Sequence, residues 1–427
     1  MAETETGGLR THRGLQRRAV ALAFVAMFVS APGQSFIVAV FVDEMLAGTG
    51  LSRTAFSVLY ALATVTSAFT IVFVGRAADR FGLRAAWLAV TVGLAAACAV
   101  AGLATGALVA FLGLALLRIF GAGSLPLVAT LLAARWFHGR RGQAMAVASF
   151  GITGAATLLP PLVVALVVAA GWRAAYLLLG AAVLVLVAPL ALLVREPSAR
   201  GRVGGGEPVA ADEAFPRALR RVRRLPRLEL PTQRSRRLLL VLAAPPLVST
   251  AMVFHAVSLL AARGLTLQQA GLVLTVFGLG SVAGTVAMGA VADRVTTRLL
   301  LSVMSGLFAV AVFALLLPGS AVAFAAFALL GAAGGVFGIA SGIVWARTYG
   351  LAQLGRLQGT SFAVQIAGGA VGPLPLALSL ALTGSYVPGL VGLGAYATLA
   401  LAGSLRWRDP SRLRRARAAR RFDAPVR

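Results

Sequence analysis

The sequence predicts an all-α integral membrane protein with 12 transmembrane helices in two pseudo-symmetric six-helix bundles. Three observations lead to this fold class. The 427 residues are 59% hydrophobic and only 12% charged, with a mean hydropathy of +0.89, which no ordinary soluble domain matches. Apolar blocks of about 20 residues, the length that crosses a bilayer core, recur along the whole chain. The second half of the chain also repeats features of the first.

The apolar blocks are separated by short breaks that contain arginine, glycine or proline. Twelve blocks are predicted, at roughly 19–42, 54–74, 85–104, 107–134, 143–169, 174–194, 238–262, 268–291, 299–317, 320–346, 358–382 and 386–405. The first block is too long for the apolar region of a signal peptide, so we expect it to be retained as a span. The chain is therefore divided into an N-terminal tail (1–18), a first bundle (19–194), a linker (195–237), a second bundle (238–405) and a C-terminal tail (406–427).

Arginine supplies all 39 basic residues, against 13 acidic residues, and its placement predicts the orientation of the chain. The arginines concentrate in both tails, the linker and alternate loops, whereas the intervening loops hold only Arg53, Arg173 and Arg263. By the positive-inside rule, both termini and the linker are predicted to be cytoplasmic in a multi-pass plasma-membrane protein. This pattern favours contact with anionic inner-leaflet lipids over nucleic-acid binding.

The linker carries seven arginines between Arg217 and Arg234, with apolar residues at near-helical spacing among them. This pattern is typical of an amphipathic helix on the inner leaflet, and a disordered basic tether is the alternative.

The residue types argue against an enzyme. Cys98 is the only cysteine, and the three histidines, His12, His138 and His255, are scattered along the chain, so no metal site is predicted. The chain has no lysine, which excludes a phosphate-binding loop with its lysine, and no nucleophile triad is present. We therefore expect a monomer with no catalytic residues, no cofactor and no ATP hydrolysis of its own.

Two motifs recur at the same offset in the second half. "GLS" at Gly50 recurs as "GLT" at Gly264, and "GRAADRFGLR" from Gly75 recurs as "GAVADRVTTR" from Gly289, both 214 residues downstream. With this duplication the chain resembles the major facilitator superfamily over nearly its whole length, most specifically in the superfamily's loop motif between spans 2 and 3. The motif residues are Gly75, Asp79, Arg80, Gly82 and Arg84, with a degraded copy at Gly289, Asp293, Arg294 and Arg298. The resemblance implies a cytoplasmic gate between two halves.

Physical reasons support the loop motif independently. Gly75 and Gly82 permit a tight left-handed turn between two spans. Asp79 is expected just before span 3, at the positive end of its helix dipole, where Arg80 and Arg84 can pair with it or with lipid phosphate.

Four shorter stretches point to one branch of the superfamily. They are "RWF" at 135–137, "RRG" at 140–142, "GWRAAY" at 171–176 and "TGSY" at 383–386. They resemble the branch that contains monocarboxylate and oxalate/formate carriers.

Arg118 is the most informative single residue. It lies near the middle of span 4, and burying a guanidinium at that depth costs at least about 2.5 kcal/mol, so some group must face it. It occupies the place of the superfamily's span-4 arginine motif, although Ala122 stands where related carriers often have a polar residue. We expect a cavity arginine that binds an anionic group or tunes a proton site. The alternative is an arginine bonded to backbone carbonyls of a broken span 1.

Span 1 is expected to break at Pro32 and Gly33, because proline removes a backbone donor and glycine weakens the helix. Irregular backbone at membrane depth is tolerated only where it faces protein or water. The break and Gln34 are therefore predicted to form one wall of a binding site opposite Arg118. A simple packing kink with Gln34 bonded locally is the alternative.

Other polar residues of the spans are secondary candidates. The candidates for proton uptake are Asp43 and Glu44, near the outer mouth, and His255, in span 7. The alternative for the two acids is that they are simply solvated, and the alternative for His255 is a helix contact. Gln365 and His255 are candidate substrate ligands, and Tyr60 could line the outer vestibule or anchor there. Gly334, Gly338 and Gly342 are interpreted as a packing stripe that lets helices approach closely.

These features together predict a secondary carrier that works by alternating access around a site lined by spans 1, 4, 7 and 11. Arg118 without an acid at the midplane favours a small organic anion such as a monocarboxylate, either proton-coupled or exchanged. The alternatives are a multidrug or amphiphile efflux carrier and, less favoured, a non-transporting membrane sensor or scaffold.

Overall fold

A computed structural model describes residues 2–137, 141–194, 233–349 and 354–407. Within them, eleven helical segments are long and apolar enough to cross a membrane. Their bounds, numbered as spans in chain order, are Gly14–Thr49 (span 1), Arg53–Phe81 (2), Leu83–Gly102 (3), Ala107–Ala133 (4), Ala144–Leu193 (5 and 6), Ser235–Phe254 (7), Leu267–Val291 (8), Thr297–Ala314 (9), Ser320–Tyr349 (10), Leu357–Thr383 (11) and Val387–Leu405 (12).

One segment of 50 residues contains two spans. The helix Arg141–Ala182 has a non-helical residue, Gly171, with φ 77° and ψ 160°, a left-handed conformation that glycine adopts without strain. The chain reverses there, so spans 5 and 6 meet at Gly171 without an intervening loop. With this division the prediction of twelve spans in an all-helical fold is confirmed.

Packing within each half follows the same plan. In the first half, span 4 packs on spans 1, 2 and 3, and span 3 also packs on span 6. In the second half, span 10 packs on spans 8 and 9, and span 12 packs on spans 7 and 9. The two halves meet through spans 1 and 7, spans 2 and 11, and spans 5 and 8.

Contacts between the halves lie near mid-span and toward one end of the bundles. We call the end that carries the loop motif the motif end, and the opposite end the Arg53 end. On spans 5 and 8, Thr157 lies against Gly278 near mid-span, and Val164 lies against Gly271 nearer the Arg53 end. At the motif end, the helix Leu125–Trp136 of span 4 packs on spans 1, 2, 3 and 5 of its own half. The structure is therefore a conformation closed at the Arg53 end.

The loop between spans 2 and 3 is shorter than expected. The helix of span 2 continues to Phe81, and Gly82 alone, with φ 88°, makes the turn into the helix Leu83–Gly102. Asp79 therefore lies in the last turn of span 2 and not at the start of span 3. Gly75 lies within the span-2 helix without a positive φ, so the left-handed turn expected there is made by Gly82 alone. That Asp79 meets the positive end of the span-3 dipole stays a prediction.

The glycines predicted to form the packing stripe on span 10 do not face a neighbouring helix. A Cβ added at Gly334, Gly338 or Gly342 would meet nothing within 4 Å. The close approach to span 8 uses Gly331 and Gly335 instead, where an added Cβ would come within 3.0 Å of backbone atoms of span 8. The packing interpretation therefore holds for the helix but not for the three residues named.

This difference between two faces of one helix gives a matched prediction. Gly331→Ala should destabilise the protein by about 1–3 kcal/mol, because the methyl group would overlap the span-8 backbone near Phe277. Gly338→Ala should be neutral or slightly stabilising, because alanine has the higher helix propensity and open space is available. Thermal unfolding of both variants in detergent checks this, and equal stability losses would contradict the assigned contact.

The described residues do not include 195–232 of the linker or 408–427 of the C-terminal tail. The amphipathic helix and the basic tether that are the two alternatives for the linker therefore both lie outside them. The helix that contains span 7 begins at Gln233, and the first helix, Ala2–Val29, runs from the N-terminal tail into span 1 without a break.

Candidate functional site

Spans 1 and 4 cross at the point where both helices are irregular. Span 1 consists of the helix Ala2–Val29, a 3₁₀ turn Ala31–Gly33 that contains Pro32, and the helix Ser35–Thr49. A Cβ added at Gly33 would come within 3.0 Å of backbone atoms of Leu117, Gly121 and Ala122. Only glycine therefore allows this crossing, in which the two backbones touch.

Span 4 is π-helical where it meets this turn. Residues Leu117–Ser124 form the π-helical segment, between the helices Ala107–Leu116 and Leu125–Trp136. Such segments insert an extra residue into a helix and occur frequently at functional sites. Arg118 lies in the first turn of this segment.

Arg118 uses only part of its hydrogen-bonding capacity. Its Nη1 donates to the carbonyl oxygen of Gly33 at 3.0 Å, and its guanidinium lies 5.2 Å from the centre of the Tyr60 ring. Its Nε is buried without a hydrogen-bond partner, and Nη2 makes none within the described residues. The side chain is half-buried, and within the described residues no acidic side chain forms an ion pair with it. The Nε–Nη2 edge thus has no hydrogen-bond partner within the described residues. A guanidinium edge can bind a planar anion with two parallel hydrogen bonds.

Tyr60 connects Arg118 to the other half. The Tyr60 ring is fully buried and lies 4.6 Å from the Phe254 ring of span 7, which also lies 6.1 Å from Phe56. These three aromatic residues form a cluster across the halves on the Arg53 side of Arg118. Tyr60 therefore does not line an outer vestibule in this conformation.

The two glutamines are bonded locally. Gln34 donates to the Ser30 hydroxyl at 3.2 Å, and Gln365 donates to the Ser361 hydroxyl at 3.0 Å, each four residues earlier in the chain. Both side chains are half-buried. Gln34 is thus bonded locally, as expected for a simple packing kink, and the amides of Gln34 and Gln365 are both partly accessible.

His255 is fully buried at a break in span 7, between the helices Gln233–Phe254 and Ala256–Ala261. Its Nε2 lies 2.9 Å from the carbonyl oxygen of Pro373, where span 11 is itself interrupted. A carbonyl accepts, so Nε2 carries a proton, and Nδ1 is buried without a partner. In this conformation the ring belongs to a helix contact between spans 7 and 11.

The two acids of span 1 have different surroundings. Asp43 forms an ion pair with Arg53, Oδ1 to Nη2, at 2.5 Å, whereas Glu44 is exposed. Arg53 Nη1 also donates to the Ser258 hydroxyl of the other half at 2.9 Å. Ser258 and Tyr386, whose hydroxyl also bonds Ser258, are not predicted as site residues from the sequence. A lone serine in an apolar span gives no distinguishing signal.

The two copies of the loop motif form equivalent ion pairs. Asp79 pairs with Arg135 at the end of span 4 at 2.9 Å, and Asp293 pairs with Arg347 of span 10 at 3.2 Å. Each pair stays within its own half. Arg80 stacks instead on the Phe81 ring, and the expected pairing of Asp79 with Arg80 or Arg84 is replaced by the arginine of span 4.

Three solved structures share this arrangement of helices at low sequence identity. A bacterial homologue of the human lysosomal transporter Spinster, in an inward-facing and unoccupied conformation, aligns with a TM-score of 0.69 and 16% identity over 92% of this chain and 96% of that one. The same homologue in an inward-facing and occupied conformation gives 0.61 and 16% over 93% and 92%. The nucleoside transporter NupG gives 0.66 and 13% over 92% and 100%. At these identities the similarity shows the fold alone.

Sequence comparisons give a family and no nearer relative. A search of curated proteins finds no match. The sequence profile of the Major Facilitator Superfamily matches residues 23–262 and 246–427, which together span nearly the whole chain. From the repeated loop motif, the twelve spans and this match, the chain belongs to the Major Facilitator Superfamily.

Proposed function

We propose that this protein is a secondary carrier for a small organic anion, most simply a monocarboxylate, which it moves by alternating access. The observation that carries the proposal is the Nε–Nη2 edge of Arg118, which has no hydrogen-bond partner within the described residues and lies near the middle of span 4. A buried donor without a partner, such as Nε, costs about 1–3 kcal/mol, and a carboxylate would accept hydrogen bonds from Nε and Nη2 together. The half-buried guanidinium has no ion-pair partner within the described residues, so a substrate anion would supply the missing charge.

Coupling to protons or exchange of anions is part of the same proposal. Asp43, Glu44 and His255 are the candidate proton sites, of which Glu44 is exposed, Asp43 is paired and His255 is buried. For such a residue to load and release a proton, its surroundings must differ between the two conformations of the carrier.

We further propose the orientation that the arginine distribution predicts. Both termini, and hence the motif end, would be cytoplasmic in the plasma membrane, with basic segments on anionic lipids and the protein as a monomer. In that orientation the present conformation faces inward. Gly289, Arg294 and Arg298 would then belong to the cytoplasmic gate, together with the first motif copy.

The experiment is counterflow in proteoliposomes with a panel of labelled carboxylates and their neutral amides, with and without an imposed pH gradient. We expect counterflow of at least one carboxylate and none of its amide. Counterflow that is absent for every solute would favour a scaffold. Rates that are equal at all pH gradients would argue against proton coupling through Asp43, Glu44 or His255.

One observation favours a second candidate, an efflux carrier for amphiphilic drugs. The aromatic cluster of Phe56, Tyr60 and Phe254 lies next to Arg118 and could contact a flat apolar body when the halves separate. Transport of neutral aromatic compounds at rates that do not depend on Arg118 would support this candidate over the first.

A further inference from the structure

A polar link between the two halves is centred on one hydroxyl group, that of Ser258. We call the group formed by Asp43, Arg53, Ser258 and Tyr386 the Ser258 junction. Asp43 and Arg53 belong to the first half, and Ser258 and Tyr386 belong to the second. The four residues lie at the Arg53 end, on the outer side of the aromatic cluster.

The Ser258 hydroxyl is fully used in this conformation. It accepts hydrogen bonds from Arg53 Nη1 at 2.9 Å and from the Tyr386 hydroxyl at 3.0 Å, and it donates its own proton to the carbonyl oxygen of His255 at 3.2 Å. A serine hydroxyl has one donor and two acceptor sites, so all three are occupied. No apolar side chain of similar size could replace it without leaving two donors unpaired.

Arg53 is held in the geometry that this contact requires. Its Nη2 bonds Asp43 while its Nη1 bonds Ser258, so the planar guanidinium bridges the two halves. The Arg53 side chain is only 19% exposed, which limits competition from water. Burial also raises the pKa of the Tyr386 phenol, so it remains protonated and donates.

We propose that the Ser258 junction is the polar lock that holds the Arg53 end closed, and that it must break in every transport cycle. The hydrogen bond from Arg53 to Ser258 joins the halves through a charged donor, and such bonds are about twice as strong as neutral ones. When the Arg53 end opens, Ser258 and Tyr386 move away together with the second half, whereas Asp43 stays with Arg53. The arginine thus keeps its ion pair and loses only the contact between the halves, which makes the lock reversible.

The proposal predicts a shift of population toward the state open at the Arg53 end. Ser258→Ala removes both accepted hydrogen bonds and should raise the ratio of open to closed molecules by about tenfold. Ser258→Thr keeps the hydroxyl and should behave like the parent. Ser302→Ala is the matched control, since Ser302 bonds Ser404 within the second half.

Distances between the halves can be measured by double electron–electron resonance in reconstituted full-length protein. Spin labels would be attached at Thr105→Cys in the first half and Ser320→Cys in the second, two exposed positions at the Arg53 end. The distance between the labels reports how far the halves separate there. Cys98→Ala removes the native cysteine, so that only these two positions are labelled. We expect one short distance for the parent, Ser258→Thr and Ser302→Ala, and an added longer distance for Ser258→Ala. A parent-like distribution for Ser258→Ala would overturn the proposal, as would equal widening in Ser258→Thr or Ser302→Ala.

The lock rests on the alternating-access part of the proposed function and not on the anion. The distances are measured without substrate, so a carrier that fails to move carboxylates would leave this test intact.

Discussion

Arg118→Gln should reduce carboxylate transport by about 30- to 4,000-fold in kcat/KM. Removing one partner of a desolvated, hydrogen-bonded charge pair typically costs about 2–5 kcal/mol, and each 1.4 kcal/mol is tenfold. The glutamine amide can still reach toward the Gly33 carbonyl, but it has no positive charge to offer an anion. The measurement is initial counterflow of the best carboxylate over a range of concentrations.

Arg263→Gln is the matched control for this variant. Arg263 donates from both Nη atoms to the backbone carbonyls of Leu315, Leu317 and Gly319 at the Arg53 end, so only its Nε lacks a partner and it has no unpaired Nε–Nη2 edge. If Arg118 had the same role, the two variants would lose thermal stability and keep the parent's KM. We expect this outcome for Arg263→Gln only. Arg118→Lys should be intermediate, because lysine keeps the charge but not the planar fork.

Gly33→Ala should destabilise the protein by about 3 kcal/mol. The added methyl group would overlap three backbone positions of span 4, and a backbone cannot move aside as a flexible side chain can. The overlap would separate the 3₁₀ turn from the π-helical segment and break the Arg118 to Gly33 contact. Thermal unfolding in detergent and the yield of monodisperse protein measure the effect.

Gly154→Ala is the control for this prediction. Gly154 lies on span 5, and an added Cβ would be 3.8 Å from the Phe28 ring of span 1, an ordinary van der Waals distance. We expect a change within about 1 kcal/mol of the parent. Similar losses in both variants would mean that the crossing of spans 1 and 4 tolerates more space than the structure gives it.

The fold could be predicted from the sequence because its determinants are local. Hydropathy locates the spans, and the two copies of the loop motif align the halves. The break at Pro32 and Gly33 follows from the missing backbone donor of proline, and the position of Arg118 follows from the cost of a charge at that depth. The positions of these elements needed no information about contacts distant in sequence.

The remaining features depend on which faces meet. Span 10 has two sets of glycines with the same spacing on different faces of the helix. Gly331 and Gly335 face span 8, whereas Gly334, Gly338 and Gly342 do not. Spacing alone does not distinguish the two sets. The π-helical segment of span 4 leaves no clear pattern in "LRIFGAGS", because its extra residue is accommodated by contact with span 1.

The Ser258 junction joins Arg53 and Ser258, which are 205 positions apart, and neither segment alone indicates that the two residues pair. His255 shows the same limit. From the sequence it is a candidate either for proton uptake or for a helix contact, and tertiary packing buries it against Pro373.

Arg118 is proposed to bind the anionic group of the cargo. A thermodynamic cycle that changes this residue and the charge of the ligand, one at a time and together, tests that directly. Equilibrium binding of one carboxylate and its neutral amide would be measured for the parent and for Arg118→Gln. We expect the parent to bind the carboxylate about 30-fold or more tightly than the amide. In Arg118→Gln this preference should disappear, however much affinity both ligands lose. An equal preference for the carboxylate in both proteins would contradict it.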